Sequence, residues 1–294
     1  MELRKLGKQG IEVGVIGLGI EHLKKNPREE IVEVIQETVA LGVNYFDLIW
    51  SYPHIISAVG EGIKGNRDKV TLAAHLGSCY RGEKYVRNRT PKKCRETFEE
   101  VLGNLGTDYV DVINLHYLSE KDWHKVFKPG GVFDLAKELV EEGKARSIGA
   151  STHDLNLLRK IAPMTEINSV MFQVNMANHR LPGRDEAFKL CADNGKGIIA
   201  MKPFAKGKLL KSKKKEKIPS YATGGVKMTS RMPEGNTSAK CLHYSLSQPG
   251  VSVAVPGASN IEELRDCVNY INVSNDEKTY EGELEELFLN EIKG

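Results

Sequence analysis

No apolar run in this sequence approaches the roughly 20 residues that a membrane span requires. No apolar stretch follows the basic start MELRKLGKQG either, which speaks against a secretory signal. Cysteine is sparse, with 5 in 294 residues, and Cys79, Cys94, Cys191, Cys241 and Cys267 form no CxxC. That odd, scattered set fits neither a disulfide framework nor a zinc or iron–sulfur cluster. It reads as reduced, buried thiols of a cytoplasmic protein. Charge of one sign is lacking too: 42 Lys+Arg against 39 Asp+Glu leaves +3, too little for the concentrated basic face that nucleic acid demands.

What the chain does hold is 40% hydrophobic and 28% charged residues, enough for a large core beneath a solvated surface. Short Val- and Ile-rich runs recur at 15–18, 44–46, 70–74, 110–115, 145–149, 169–174, 197–200 and 251–255. They are apolar on both faces and bounded by turn residues, as buried parallel strands are. Amphipathic segments alternate with them. Asn26-Pro27 opens one, with Pro27 expected at the first helical position, and Thr90-Pro91 opens another that runs to Gly106. Asp154 and Asn260 cap two more, the latter with Glu263 three residues on in a capping-box pattern. Gly143 stops a segment that starts near Leu135.

Eight strands and about eight helices predict an α/β fold of the (β/α)8 TIM-barrel type, as one domain over 1–294. A doubly wound sheet would need GxGxxG opening a helix, whereas Gly14, Gly17 and Gly19 follow GxxGxG with no helix start behind them. Residues 4–13 read as a β-hairpin plugging one end of the barrel. Residues 206–235 form a long loop after the seventh strand, in which KSKKKEK reads as a flexible, solvated charge run. Residues 276–292 read as one closing helix.

Catalytic groups of such barrels sit where strands end. The residues that follow each apolar run are Asp47, with Tyr52 five positions on, then His75, His116, Ser151-Thr152, Gln173 and Asn175, Lys202, and Pro256-Gly257-Ala258-Ser259. An Asp, a Tyr and two His at the ends of consecutive strands converge on one pocket, and two chemistries use that set. Metal-assisted hydrolysis would take Asp47, His75 and His116 as ligands, but the HxH or HxxE spacing that preorganises two ligands on one element is missing. No metal is expected. Proton transfer through Tyr52 needs only a charged neighbour to draw the phenol down from about 10.

The stretches GVNYFDLIWSY (42–52), GNRDKVTLAAH (65–75), LGTDYVDVINLH (105–116), LVEEGKARSIGAST (139–152) and SQPGVSVAVPGASNIEELRD (247–266) resemble the aldo-keto reductase superfamily over nearly the whole chain. GIIAMKPFAKGKL (197–209) is similar to a bacterial and archaeal branch, some of whose members carry a ferredoxin-like cysteine cluster not matched here. The resemblance implies a TIM barrel that binds NAD(P)H in an extended pose across its mouth. It implies hydride exchange with a small carbonyl or alcohol, sugars among the candidates, and a Tyr that carries the proton.

By the same resemblance the proton carrier is Tyr52, its partner Asp47, and the substrate-orienting His is His116. The nicotinamide carboxamide falls to Ser151, Thr152 (where Asn is usual) and Gln173. Met201 stands where an aromatic often stacks on the nicotinamide, and Lys202 and Lys206 stand near the pyrophosphate. Gly257, Ser259, Glu263 and Asp266 mark the adenosine end. A carboxylate at 263 repels a 2′-phosphate and accepts from a 2′-hydroxyl, so NAD(H) is favoured over NADP(H), with Arg265 and the lysine-rich loop opposing. Trp50, Pro53, His54, Tyr80 and Trp123 fall in loops that frame substrate.

One departure matters most: the superfamily's active-site Lys falls on His75. A protonated His75 would still lower the Tyr52 pKa and leave an ordinary reductase. A neutral His75 would act as a base, and transient oxidation of a sugar followed by elimination or epimerisation becomes the chemistry. A nucleotide-binding protein without catalysis is the third reading.

Overall fold

The computed structural model describes residues 1–82, 84–225 and 227–292. Eight parallel strands form the central sheet: β1 (Leu18–Gly19), β2 (Tyr45–Leu48), β3 (Thr71–Leu76), β4 (Val110–Leu118), β5 (Ala145–Thr152), β6 (Ile167–Gln173), β7 (Gly197–Met201) and β8 (Val251–Val255). Each pairs with the next in chain order. Parallel bridges Ile16↔Ala254 and Gly19↔Gly257 then join the first strand to the last, with Gly17 N donating to Ala254 O at 2.9 Å. This is the (β/α)8 barrel that the alternating pattern predicts.

The outer ring comprises α1 (Arg28–Ala40), α2 (Pro53–Gly62), α3 (Pro91–Leu105), α4 (Val132–Glu141), α5 (Leu155–Ile161), α6 (Arg184–Asp193), α7 (Ser238–Leu246) and α8 (Ile261–Val268). Helix α3 shows how local chemistry sets its limits. Pro91 occupies its first turn, Phe98, Val101, Leu102 and Leu105 face the barrel, and Gly106 ends it at φ +68°, a conformation that favours glycine. Helix α1 starts one residue later than expected. Asn26, tethered through Nδ2 to Ser259 O at 2.7 Å, keeps the chain extended through Pro27, which becomes the cap.

Two further expectations are corrected. The closing segment is two helices, Asn275–Lys278 and Glu281–Leu289, because the chain turns at Tyr280 to set its ring edge-on against Tyr244 at 5.2 Å. The lysine-rich loop is also more ordered than its composition suggests. Its lysines are exposed, yet Lys215–Ile218 pairs antiparallel with Met228–Arg231. Ile218, Met228, Leu209 and Ala222 anchor that hairpin in a buried apolar cluster with Tyr244.

The floor of the barrel is closed by the N-terminal hairpin, Leu3–Leu6 with Ile11–Gly14. Leu6 and Val13 enter the interior and pack with Tyr45, Val112, Met171, Ile199 and Val253 from five strands. The turn requires Gly7, at φ +67°, since a Cβ there would stand 2.2 Å from Asn168 O. All five cysteines are buried and unpaired. Among the described residues no helix is long and apolar enough to cross a membrane.

Leu6→Ala truncates the larger of the two side chains that this plug buries in the barrel, Leu6 and Val13, and leaves a cavity in its floor. The expected cost is about 2–5 kcal/mol, read as lost unfolding free energy in urea. A loss well under about 1 kcal/mol would show that the hairpin does not close the floor.

Candidate active site

Three adjacent strands deliver Asp47, His75 and His116 to one end of the barrel. They do not face a common point but bond in a row. His75 Nε2 meets Asp47 Oδ1 at 2.7 Å, and His75 Nδ1 meets His116 Nδ1 at 2.9 Å. His116 Nε2 continues the row to Tyr85 Oη at 2.6 Å. Asp47, His75 and His116 are 7%, 7% and 3% exposed, so each bond forms in a poorly solvated setting. Among the described residues no group of three or more His, Cys, Asp or Glu is placed to hold a metal ion.

Burial, then the neighbouring His75 and the guanidiniums of Arg89 and Arg87, push His116 well below the usual imidazole range. Its ring is therefore neutral and carries one N–H. Two arrangements of the hydrogens satisfy the row. In one, Tyr85 O–H donates to His116 Nε2, His116 Nδ1–H to His75 Nδ1, and His75 Nε2–H to Asp47. In the other, an extra proton resides on His75, which then donates on both sides, to Asp47 and to His116. The two differ by one proton and by the direction of the His75–His116 and His116–Tyr85 bonds, while His75 donates to Asp47 in both.

Tyr52 stands outside this row. It caps α2, is 3% exposed, and its Oη accepts a hydrogen bond from Lys24 Nζ at 3.0 Å. Lys24 belongs to the short turn of 3₁₀ helix Ile20–Lys25 that follows β1. Its ammonium also lies 4.4 Å from the Tyr52 ring centroid and 5.4 Å from that of Trp50. Trp50, Tyr80 and Tyr85 complete an aromatic wall: the Tyr52 ring lies 5.7 Å from Trp50 and 5.9 Å from Tyr80, and Trp50 lies 5.5 Å from Tyr85. Serines clamp the loops beneath, with Ser51 Oγ donating to Ser78 O at 2.8 Å and Ser78 Oγ to Ile49 O at 2.6 Å. The His54 ring lies 6.0 Å from that of Tyr52, while Trp123 stacks on Phe127, which in turn packs on α4's Phe133, part of ordinary packing.

A cleft opens beside the row, between the ends of β1, β2, β7 and β8. Asp47 lines it, together with Met201, Lys202, Lys206, Gly257, Ser259, Glu263, Asp266 and Cys267. The loop after β7 is held in an unusual backbone: Lys202, Ala205 and Lys206 have φ of +56°, +46° and +63°. Three left-handed non-glycine residues so close together are strain of the kind that collects at functional sites. Burial pushes Lys202 below the usual ammonium range, against the pull of Glu21 and Asp47.

At the far wall, Asn260 Oδ1 accepts from Glu263 N at 2.9 Å and so caps α8. The Glu263 carboxylate does not return to Asn260 as a capping box would. Its Oε2 instead accepts from Ser259 N at 2.8 Å and Ser259 Oγ at 2.6 Å, which holds it below the usual carboxylate range.

Ser151, Thr152 and Gln173 do not line this cleft. Ser151 Oγ accepts from Tyr117 N at 2.7 Å, and Thr152 Oγ1 donates to Leu118 O at 3.0 Å. Gln173 Nε2 donates to His153 O at 3.2 Å, and its buried Oε1 meets no partner among the described residues.

Reading the strand ends missed Lys24, Tyr85 and His22. The same rule applied to the first strand would have reached Glu21, His22 and Lys24, which follow it directly. His22 lines the cleft and explains Gly257, since a Cβ at 257 would lie 2.1 Å from its ring. Tyr85 sits on the hairpin Ser78–Arg81 with Lys84–Arg87, which no strand-end rule addresses.

The model of the Aldo/keto reductase family matches residues 11–282. The uncharacterized oxidoreductase YqkF of Bacillus subtilis (strain 168) is 27% identical over 289 residues, which cover 92% of each protein. L-galactose dehydrogenase of Arabidopsis thaliana is 23% identical over 286 residues, 91% of this chain and 87% of that protein. Among solved structures, the holo form of aldo-keto reductase AKR11C1 from Bacillus halodurans superposes with a TM-score of 0.76 at 22% identity, covering 98% of this chain and 96% of that one.

Proposed function

The chain belongs to the aldo/keto reductase family of NAD(P)-dependent oxidoreductases, and from that premise we propose that Tyr52 exchanges the proton with a small carbonyl or alcohol. The observation that carries the reading is the double position of Asp47. It ends the buried row and also lines the cleft, so proton-active groups and a nucleotide groove share one mouth.

The cleft suits a nicotinamide dinucleotide. Met201 and Met171 offer an apolar face for a flat ring, and Lys202 and Lys206 bring cations for a diphosphate. Ser259 N–H and Oγ, with the start of α8 behind them, form the adenosine end. When bound, the nicotinamide supplies the hydride. Tyr52 then gives its proton to the substrate oxygen, and His116, the neutral ring, orients that oxygen through Nε2. Tyr85 Oη holds this nitrogen in the absence of substrate and is the group a substrate oxygen displaces.

The substrate class we favour is a hydroxyl or carbonyl of sugar size, on an aromatic wall that suits a polyol. One relative is a dehydrogenase named for L-galactose. The elimination or epimerisation reading takes His75 as the base, and both nitrogens of that buried ring are already engaged. Five buried free thiols support a reducing, cytoplasmic setting.

Glu263 favours NAD(H). Its carboxylate occupies Ser259 N–H and Oγ, the donors a 2′-phosphate would need, and repels that phosphate.

Tyr52→Phe is expected to cut NADH-dependent reduction of 4-nitrobenzaldehyde, a probe carbonyl, by about a hundredfold or more, with nucleotide affinity held within about twofold. Unchanged turnover would remove Tyr52 from the proton transfer. Glu263→Gln is expected to raise NADPH affinity relative to NADH by about tenfold, or 1.4 kcal/mol, in fluorescence titrations. An unchanged ratio would show that selection of the nucleotide lies elsewhere.

A further inference from the structure

Resting on that reading of Tyr52, we propose that Lys24, on the turn after β1, is the ammonium that poises Tyr52 for proton transfer, a role for which His75 is too firmly held. An ammonium 3.0 Å from a phenol oxygen stabilises the phenolate over the phenol. Its position over two aromatic faces adds cation–π attraction and removes part of its water shell.

The turn that carries Lys24 is built to hold it there. Ile20 and Leu23 are buried beneath it. Trp50 Nε1 donates to Glu21 O at 3.1 Å from one side, and Asn26 Nδ2 to Ser259 O at 2.7 Å from the other. Lys24 itself is half-buried, with its head on Tyr52 and access to water.

The other groups facing Tyr52 do not supply this charge. Tyr80 is pushed up to about 12 by burial and by its bond to Glu100, so it stays a neutral phenol. His54 packs ring to ring at 6.0 Å. His75 is bonded to Asp47 and His116. Among the described residues Lys24 is the hydrogen-bond partner of Tyr52 Oη.

The proton path balances. In reduction the Tyr52 O–H bond breaks as a new O–H bond forms on the substrate oxygen, while the carbonyl carbon receives the hydride. The phenolate then takes a proton from Lys24 Nζ, and the amine regains one from water. Oxidation runs the same path in reverse.

The test compares ultraviolet phenolate titrations of the nucleotide-free protein. Wild type minus Tyr52→Phe isolates Tyr52, and Lys24→Met minus Lys24→Met/Tyr52→Phe isolates it without the ammonium. The expected result is a midpoint about one to three pH units higher in the Lys24→Met background. Circular dichroism checks that each variant is folded, and Lys24→Arg, which keeps the charge, should keep the wild-type midpoint.

Reduction of 4-nitrobenzaldehyde by NADH should fall in kcat by about ten- to a hundredfold in Lys24→Met, with the KM for nucleotide unchanged. Its high-pH limb should move upward with the phenol. An unmoved midpoint in Lys24→Met overturns the assignment. If Tyr52→Phe keeps full turnover, the acid/base reading fails whatever Lys24 does. If Tyr52→Phe is inactive and the Lys24→Met midpoint is unmoved, only the role of Lys24 fails.

Discussion

His75 is hydrogen-bonded on both sides, to Asp47 at 2.7 Å and to His116 at 2.9 Å, and an imidazole held at both nitrogens cannot turn to a third group. The rest of the barrel mouth is arranged around that constraint. His116 is fixed in orientation by the same bond and kept neutral by burial, so its outward nitrogen points to Tyr85 or to whatever replaces it. Asp47 is turned inward at one oxygen and open to the cleft. Tyr52 stands apart from the row, and the ammonium bonded to its Oη comes from the first strand's turn rather than the third strand. A buried cation at position 75 would have tied these groups into one cluster. The ring that stands there divides them into two, a row of four residues and a pair.

The cleft side is organised by different physics. The loop after β7 carries backbone strain at Lys202, Ala205 and Lys206, and the hairpin beyond it is anchored by Ile218 and Met228 in a buried apolar cluster. On the opposite wall the donors are already taken, since Glu263 accepts from both Ser259 N and Ser259 Oγ.

Much of this was legible in the residue order. The alternation of apolar runs and amphipathic segments gave the barrel, because each strand is buried on both faces and each helix on one. Pro91, Gly106 and Asp154 mark helix ends correctly, since each acts locally, the first two through their own backbone and Asp154 by accepting from Asn156 N. Asp47, His75 and His116 were found from strand ends alone, because strand register places such residues without help from side-chain conformation. What stayed hidden depends on long-range packing. Lys24 meets Tyr52 across 28 positions, through a turn whose direction is set by Trp50 and Ser259. Tyr85 meets His116 through a hairpin that composition does not announce. The Glu263 carboxylate passed over Asn260 for Ser259, a choice between two equally near partners that spacing cannot decide. Tyr280 broke the closing helix because Tyr244 was there to receive it.

The account rests on a buried, hydrogen-bonded His116 that stays uncharged while the site works. Nitrogen-15 NMR of labelled protein, with the ring assigned by a His116→Gln variant, reads that state directly. The expected spectrum shows His116 as a neutral imidazole with one protonated nitrogen at pH 7, and still neutral as the pH falls through the ordinary imidazole range, because burial holds it well below that range. A ring that titrates with an ordinary midpoint near 6.5 would mean a solvated His116 and a broken row, and would contradict the account.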